Sequence, residues 1–192
     1  MSVADRRQRE RAQRHARIIA AARDLAEAEG WEAVTTRRLA ALVEYSQPVL
    51  YSHFEGKDAI VRAVAIEGFA DLACRLSLAR AAVMEPGQAL RAVCDAYLTF
   101  ADERPALYEA MFVLPIDVTF AREDTPSPLK AAFGELVAAI YPFDAHPNSR
   151  AEVTWAALHG LAALRRGNRI PQEGQATRID LIVSQIANDR GG

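Results

Sequence analysis

The side chains best suited to recognition chemistry lie in two short runs, Thr35-Thr36-Arg37 and Gln47-Pro48-Val49-Leu50-Tyr51-Ser52-His53-Phe54. On a helix Leu50 and Phe54 are four apart and face one way. Gln47, Pro48, Val49, Tyr51, Ser52 and His53 then face outward, a surface of hydrogen-bonding and apolar groups with no net charge. Such a surface suits the donor, acceptor and methyl pattern of base edges in a DNA major groove. Thr36, Arg37, Tyr51, His53 and Lys57 flank it with groups that hold phosphate. Lys57 also opens a helix, where unpaired backbone N–H groups favour an anion.

The elements that must position these residues are helices. Ile18, Ala22, Leu25 and Ala26 give a buried stripe to a helix from about Arg6 to Ala28, which Gly30 stops. Thr35 is a suitable N-cap for a second helix reaching about Val43, with Leu39, Ala40 and Val43 inward. Glu44-Tyr45-Ser46 forms the turn, and Pro48 suits the first turn of a third helix ending near Phe54. This order of helix, short helix, turn and short helix is that of a helix-turn-helix. A longer helix runs from Lys57 to about Leu78, with Ile60, Val64, Phe69 and Leu72 on its apolar side. Further helices are expected at about Gln88–Asp102, Pro105–Phe112, Pro128–Ile140, Ser149–Arg166 and Gln175–Ala187, with 113–128 a proline-bearing loop. No alternating stretch reads as a strand. The fold class is all-α, with a three-helix unit at 1–56 joined by a continuous helix to an all-helical body at 57–192.

The composition is that of a globular protein: 192 residues, 51% hydrophobic and 25% charged. No uncharged apolar run approaches the ~20 residues of a membrane helix. The basic start of the chain has no apolar core of a secretory signal, so no membrane is expected and a cytoplasmic setting is the default. Two cysteines, Cys74 and Cys94, make no disulfide framework. If adjacent they could form a redox switch, but buried structural thiols are the simpler reading. The net charge of −2 hides an asymmetry, because residues 1–17 hold six arginines against Asp5 and Glu10. A basic front on an acidic protein suggests an anionic partner met by one end only.

Enzyme chemistry has no foothold. G-x-S-x-G, H-E-x-x-H and dinucleotide glycine motifs are absent, and Gly56-Lys57-Asp58 lacks both the upstream glycine and the Ser/Thr of a P-loop. The four histidines show no metal spacing, and no cofactor is expected.

Residues 15–70 resemble the DNA-binding domain of TetR-type transcriptional regulators. The carrying residues are Thr35-Thr36-Arg37-Arg38-Leu39-Ala40 and Gln47 to Lys57, with the pattern Leu50-Tyr51-x-His53-Phe54-x-x-Lys57. The resemblance implies that Arg37 reads a guanine, Gln47 an adenine and Pro48 a thymine methyl, with Tyr51 beside them at the bases. Thr36, Tyr51, His53 and Lys57 would hold phosphates. The family usually has glycine where this chain has Glu44, and a non-glycine at positive φ there costs roughly 1 kcal/mol.

For the body, the resemblance implies a homodimer on a palindromic operator and an unidentified small-molecule effector, most simply for a repressor. Leu158, Leu161, Ile179, Ile182, Val183 and Ile186 are candidates for the dimer interface. Phe69, Tyr97, Phe100, Tyr108, Met111, Phe112, Trp155 and His159 are candidates for a mostly apolar ligand pocket. The run Trp155-Ala156-Ala157-Leu158-His159-Gly160 resembles a C-terminal module of a family subset named for its Trp, His and Gly. Two other functions stay open: a DNA-binding regulator without an effector, and an all-helical module that binds an acidic protein.

Overall fold

The computed structural model of the chain describes residues 3–116, 118 and 122–188. Among them it has nine α-helices and no strand: α1 (Val3–Glu29), α2 (Thr36–Leu42), α3 (Gln47–Tyr51), α4 (Lys57–Ala81), α5 (Pro86–Glu103), α6 (Pro105–Phe112), α7 (Ser127–Ile140), α8 (Pro147–Arg166) and α9 (Gln175–Asn188). Part of the expected loop at 113–128, residues 117 and 119–121, lies outside the described residues. None of the described helices is long and apolar enough to cross a membrane.

The chain divides into two compact units, Met1–Gly68 with Arg104–Val118, and Phe69–Glu103 with Thr119–Gly192. This differs from a division after residue 56, because α6 belongs with the first unit. Three hydrogen bonds to two residues, Glu27 of α1 and Trp31 of its following turn, hold it there. Trp31 Nε1 donates to the Ala106 carbonyl at 2.8 Å, and the Glu27 carboxylate accepts from Ala106 N and Leu107 N at 3.1 and 2.9 Å. The carboxylate thus satisfies two N–H groups that open α6 and would otherwise lack helical partners. Further along, Gly68 lets α4 approach α6, since a Cβ there would lie 2.6 Å from Met111 Sδ and 2.8 Å from Leu107 Cδ1.

The first unit is built on apolar positions that the helical period marks out. Ile18, Ala22, Leu39, Leu50 and Ile60 are all fully or nearly fully buried. Gly30 stops α1 at φ 81°, and a single 3-10 turn, Trp31–Ala33, follows before α2. Thr35 caps α2, its hydroxyl accepting from Arg38 N at 3.2 Å.

In the second unit α5 is the central helix and packs against α7, α8 and α9. Leu90, Val93, Cys94, Tyr97, Leu98 and Phe100 are its buried residues of largest consequence. Cys94 lies in that core and Cys74 is exposed on α4, both as free thiols. Burial pushes the Cys94 thiol up to about 12, which leaves it protonated and unreactive.

Candidate nucleic-acid interface

The turn between α2 and α3 aims the recognition surface. Val43 closes α2, Glu44 N donates to Ala41 O at 3.3 Å, and Tyr45 N donates to Ala40 O at 2.9 Å. That pair of bonds is a Schellman closure, which needs a left-handed residue at the Glu44 position. Glu44 has φ 59° there. The turn therefore keeps the shape a glycine would give it, and the side chain carries the strain. We expect Glu44→Gly to raise stability by up to about 1 kcal/mol, after allowing for glycine's greater freedom in the unfolded chain. Thermal unfolding checks this, and a lower midpoint would mean the strain lies elsewhere.

Helix α3 is shorter than the sequence suggests, ending at Tyr51, and Ser52–Phe54 continue as a tightening turn. Phe54 N still donates to Leu50 O at 3.0 Å, so the inward spacing of Leu50 and Phe54 survives. Leu50 is 0% exposed and Phe54 is buried. Gln47, Pro48, Val49, Tyr51 and Ser52 are exposed, as the outward face requires. Tyr51 Oη lies 3.4 Å from Thr36 Oγ1, which ties the start of α2 to the end of α3.

The two adjacent arginines of α2 divide their roles. Arg38 turns back onto Glu29 of α1 in a two-pronged ion pair, one prong being Nη1 to Oε2 at 2.8 Å. The hydrogen bond from Arg38 holds the Glu29 carboxyl below its ordinary range. Arg37 is exposed and has no such partner among the described residues of α1.

His53 and Lys57 are more constrained than their types suggest. His53 is half-buried, and its Nδ1 has no partner among the described residues. His15 of α1 stacks on Phe54 at 4.4 Å and lies 6.0 Å from the His53 ring. Burial first, then the charges of Arg11, His15 and Arg14, hold the His53 pKa below its ordinary value. At neutral pH the ring is uncharged and has one N–H to offer a phosphate. Lys57 Nζ donates to the Trp31 carbonyl at 2.6 Å. That bond ties α4 to the 3-10 turn, and the ammonium keeps further N–H groups for an anion. Beside it, Glu55, Gly56, Lys57, Asp58, Ala59 and Arg62 line a surface groove of about 370 Å³.

The pocket candidates fall in both units. Phe69, Tyr97, Phe100, Trp155 and His159 belong to the second, while Tyr108, Met111 and Phe112 belong to the first. Trp155 Nε1 donates to Tyr97 Oη at 3.1 Å, so α8 and α5 bring an indole and a phenol together. Tyr108 and Phe112 lie 4.7 Å apart on α6. Burial, then the nearby Arg166, lowers the His159 pKa.

Both depressed imidazoles have one consequence for stability. The unfolded chain binds protons at these histidines more readily than the folded one, so stability falls as pH drops below the ordinary value of 6.5. The depressed carboxylates Glu29 and Asp144 lose their contributions only at lower pH, below their ordinary values of 4.5 and 3.8. We expect a lower melting midpoint at pH 5.5 than at 7.5, and a smaller difference in His159→Gln. An unchanged difference in that variant would exclude His159 as a source.

The dimer candidates divide by burial. Leu158, Ile179 and Ile186 are 0%, 0% and 4% exposed within their own chain. They belong to the interior of the chain, not to an open surface. Leu161, Ile182 and Val183 are only partly exposed. The apolar face left open on α8 lies round the helix from Leu158. It consists of Val153, Ala156, Ala157, Gly160 and Leu164, with Val153 69% and Leu164 41% exposed. A Cβ at Gly160 would meet nothing within 4 Å. On α9 the exposed large apolar residue is Leu181.

Arg165 carries a role that sequence did not signal. It is 7% exposed in the last turn of α8, where an arginine ordinarily reads as a solvated helix-end charge. Its guanidinium donates to Asp102 Oδ2 at 2.7 Å and twice to Gln172 Oε1 at 2.6 and 3.0 Å. It thereby fastens α8 to the end of α5 and to the segment before α9.

Comparison with known proteins agrees with this architecture. Residues 18–64 match the model of bacterial regulatory proteins of the tetR family, and residues 90–185 match that of the tetracyclin repressor-like C-terminal domain. An uncharacterized HTH-type transcriptional regulator of Mycobacterium tuberculosis is 27% identical over 153 residues, covering 77% of this chain and 67% of that protein. A protein of unknown function from Rhodococcus sp. RHA1 superposes with a TM-score of 0.75 at 20% identity, covering 91% of this chain and 93% of that one. A TetR variant from Acinetobacter baumannii AYE in complex with minocycline gives 0.64 at 18% identity, over 91% and 97%. Both family models cover the regions expected of a helix-turn-helix and a helical body, and the chain belongs to the TetR family of DNA-binding transcriptional regulators.

Proposed function

We propose that this regulator is a dimeric repressor that leaves a palindromic operator when a small, mostly apolar molecule binds its body. The observation carrying the DNA part is the exposed face of α3, anchored by the fully buried Leu50 and flanked by the outward Arg37. Arg37, Gln47 and Pro48 read bases, while Thr36, Tyr51, His53 and Lys57 position the domain on phosphates. Two-fold pairing through the open face of α8 would place two recognition helices ~34–36 Å apart, one DNA turn. The effector part draws on the related fold of the Acinetobacter baumannii TetR variant in complex with minocycline. It also draws on the Trp155–Tyr97 pair with His159, four residues along α8. A ligand releases the operator only through a difference in its affinity for the two conformations. A cytoplasmic setting fits such a role.

Two substitutions test the division of labour. Gln47→Ala should lose ~1–3 kcal/mol of discrimination at one base pair and leave other positions alone. Lys57→Ala should weaken binding to all sequences and flatten the salt dependence by about one counterion per protomer, with some loss of stability from the Trp31 contact. Binding to a panel of single-base operator variants separates them. Identical, sequence-independent effects would overturn the assignment of Gln47 as a base reader.

A further inference from the structure

The first four turns of α1 have no core to serve. Residues 4–17 are exposed apart from a half-buried His15, and the first buried residue of the helix is Ile18. A helix polar on all sides needs a reason to persist. Its charge pattern supplies one. Ile18, Ala22 and Leu25 occupy the face that packs into the first unit. At spacings of three and four, the same face continues outward as Arg14, Arg11 and Arg7. One helix face thus changes from apolar to cationic where the domain body ends. The acidic residues lie off this stripe, and Glu10 pairs with Arg6 at 3.6 Å.

Position relative to the recognition helix gives the stripe a direction. Arg11 Nη2 donates to the Ser52 carbonyl at 3.3 Å, at the end of α3. The charges of Arg11 and Arg14 are both felt at His53, and His15 stacks on Phe54. The stripe is therefore contiguous with the end of the face assigned to DNA.

We propose that Arg7, Arg11 and Arg14 form a second DNA-binding surface, which holds backbone phosphates outside the base pairs read by α3. At 1.5 Å per residue, Arg7 to Arg14 spans about 10 Å, the axial length of about three base pairs. Guanidinium groups are suited to this because they present a fork of donors to phosphate and never lose their charge. The stripe lengthens the footprint of each half-site without adding sequence preference. This inference rests on the reading of the chain as a sequence-specific DNA binder.

The test uses the full-length protein and a double variant, Arg7→Gln with Arg14→Gln, which leaves the Arg11–Ser52 bond in place. Both are measured over a salt series on the duplex that the wild-type protein enriches from random sequence. That duplex is made with and without three to four extra base pairs on each side. The expected result is one shared consensus, with a salt slope shallower in the variant by about 0.9 per lost phosphate contact, or about 3 to 4 for a dimer. Removing the flanks should weaken the wild-type protein several-fold and the variant hardly at all. Equal slopes and equal flank dependence in the two proteins would overturn the stripe while leaving base reading by α3 intact. If the wild-type protein enriched no sequence and bound no duplex, both would fall, and the basic stripe would be assigned to an acidic protein.

Discussion

Gly160→Glu is expected to leave each protomer folded and to reduce operator affinity by at least ~100-fold. Within a protomer the substitution meets no obstacle, since a Cβ at Gly160 has open space around it. Glutamate is also the better helix former, by roughly 0.5–1 kcal/mol at an interior position. The cost arises only if a second copy covers the Val153, Ala157, Gly160 and Leu164 face. There a carboxylate would be buried without a partner, and the close approach allowed by glycine and alanine would be lost. A monomer keeps its recognition helix but loses the linkage between two half-sites, which is worth 10²–10⁴ in affinity. Sedimentation and operator titration check both halves. A variant that stays dimeric with undiminished affinity would move the interface away from α8.

Leu50→Ala is expected to destabilise the first unit by about 2–5 kcal/mol, the range for emptying a fully buried leucine site. Leu50 is the one residue of α3 wholly inside the core, and its carbonyl receives the bonds that close the following turn, from His53 N and Phe54 N at 3.0 Å each. Loss of its side chain therefore loosens the element that presents Gln47 and Tyr51. Binding should fall for every sequence, because the folded fraction falls. Val49→Ala, at an exposed neighbour, should change stability by no more than about 0.5 kcal/mol. Chemical denaturation followed at the single tryptophan of this unit, Trp31, in a chain whose Trp155 is replaced by phenylalanine, reads the difference. Equal stabilities for the two variants would contradict the packing described for α3.

What could be read from sequence follows from the range of each interaction. Leu39, Val43, Leu50 and Phe54 announced themselves because helical spacing sorts buried from exposed residues within a single element. Thr35 was legible because a cap is a local bond, and Glu44 because the resemblance places a glycine at that point of the turn. Contacts between distant segments left no such mark. The Lys57 ammonium on the Trp31 carbonyl, the Glu27 carboxylate on the start of α6, and the Arg165 bonds to Asp102 and Gln172 join residues that no period connects. The interface candidates show the limit of periodicity most plainly. The stripe Ile179, Ile182 and Ile186 marks a face that must be covered, but the pattern does not say by what. α9 packs on α5 of the same chain, and Ile179 and Ile186 are buried there. The open face of α8 is Val153, Ala156, Ala157, Gly160 and Leu164, whose small residues permit close approach but add little to a hydrophobic stripe.

If α3, paired across a dimer, reads a specific DNA sequence, the protein must select that sequence from a mixture. Selection of bound duplexes from a random library, with purified full-length protein at fixed salt, tests it most directly. The expected result is enrichment of a palindrome whose half-sites are centred about one helical turn apart. Gln47→Ala should alter that consensus at one position per half-site. Failure of the intact protein to enrich any sequence would contradict such reading by α3.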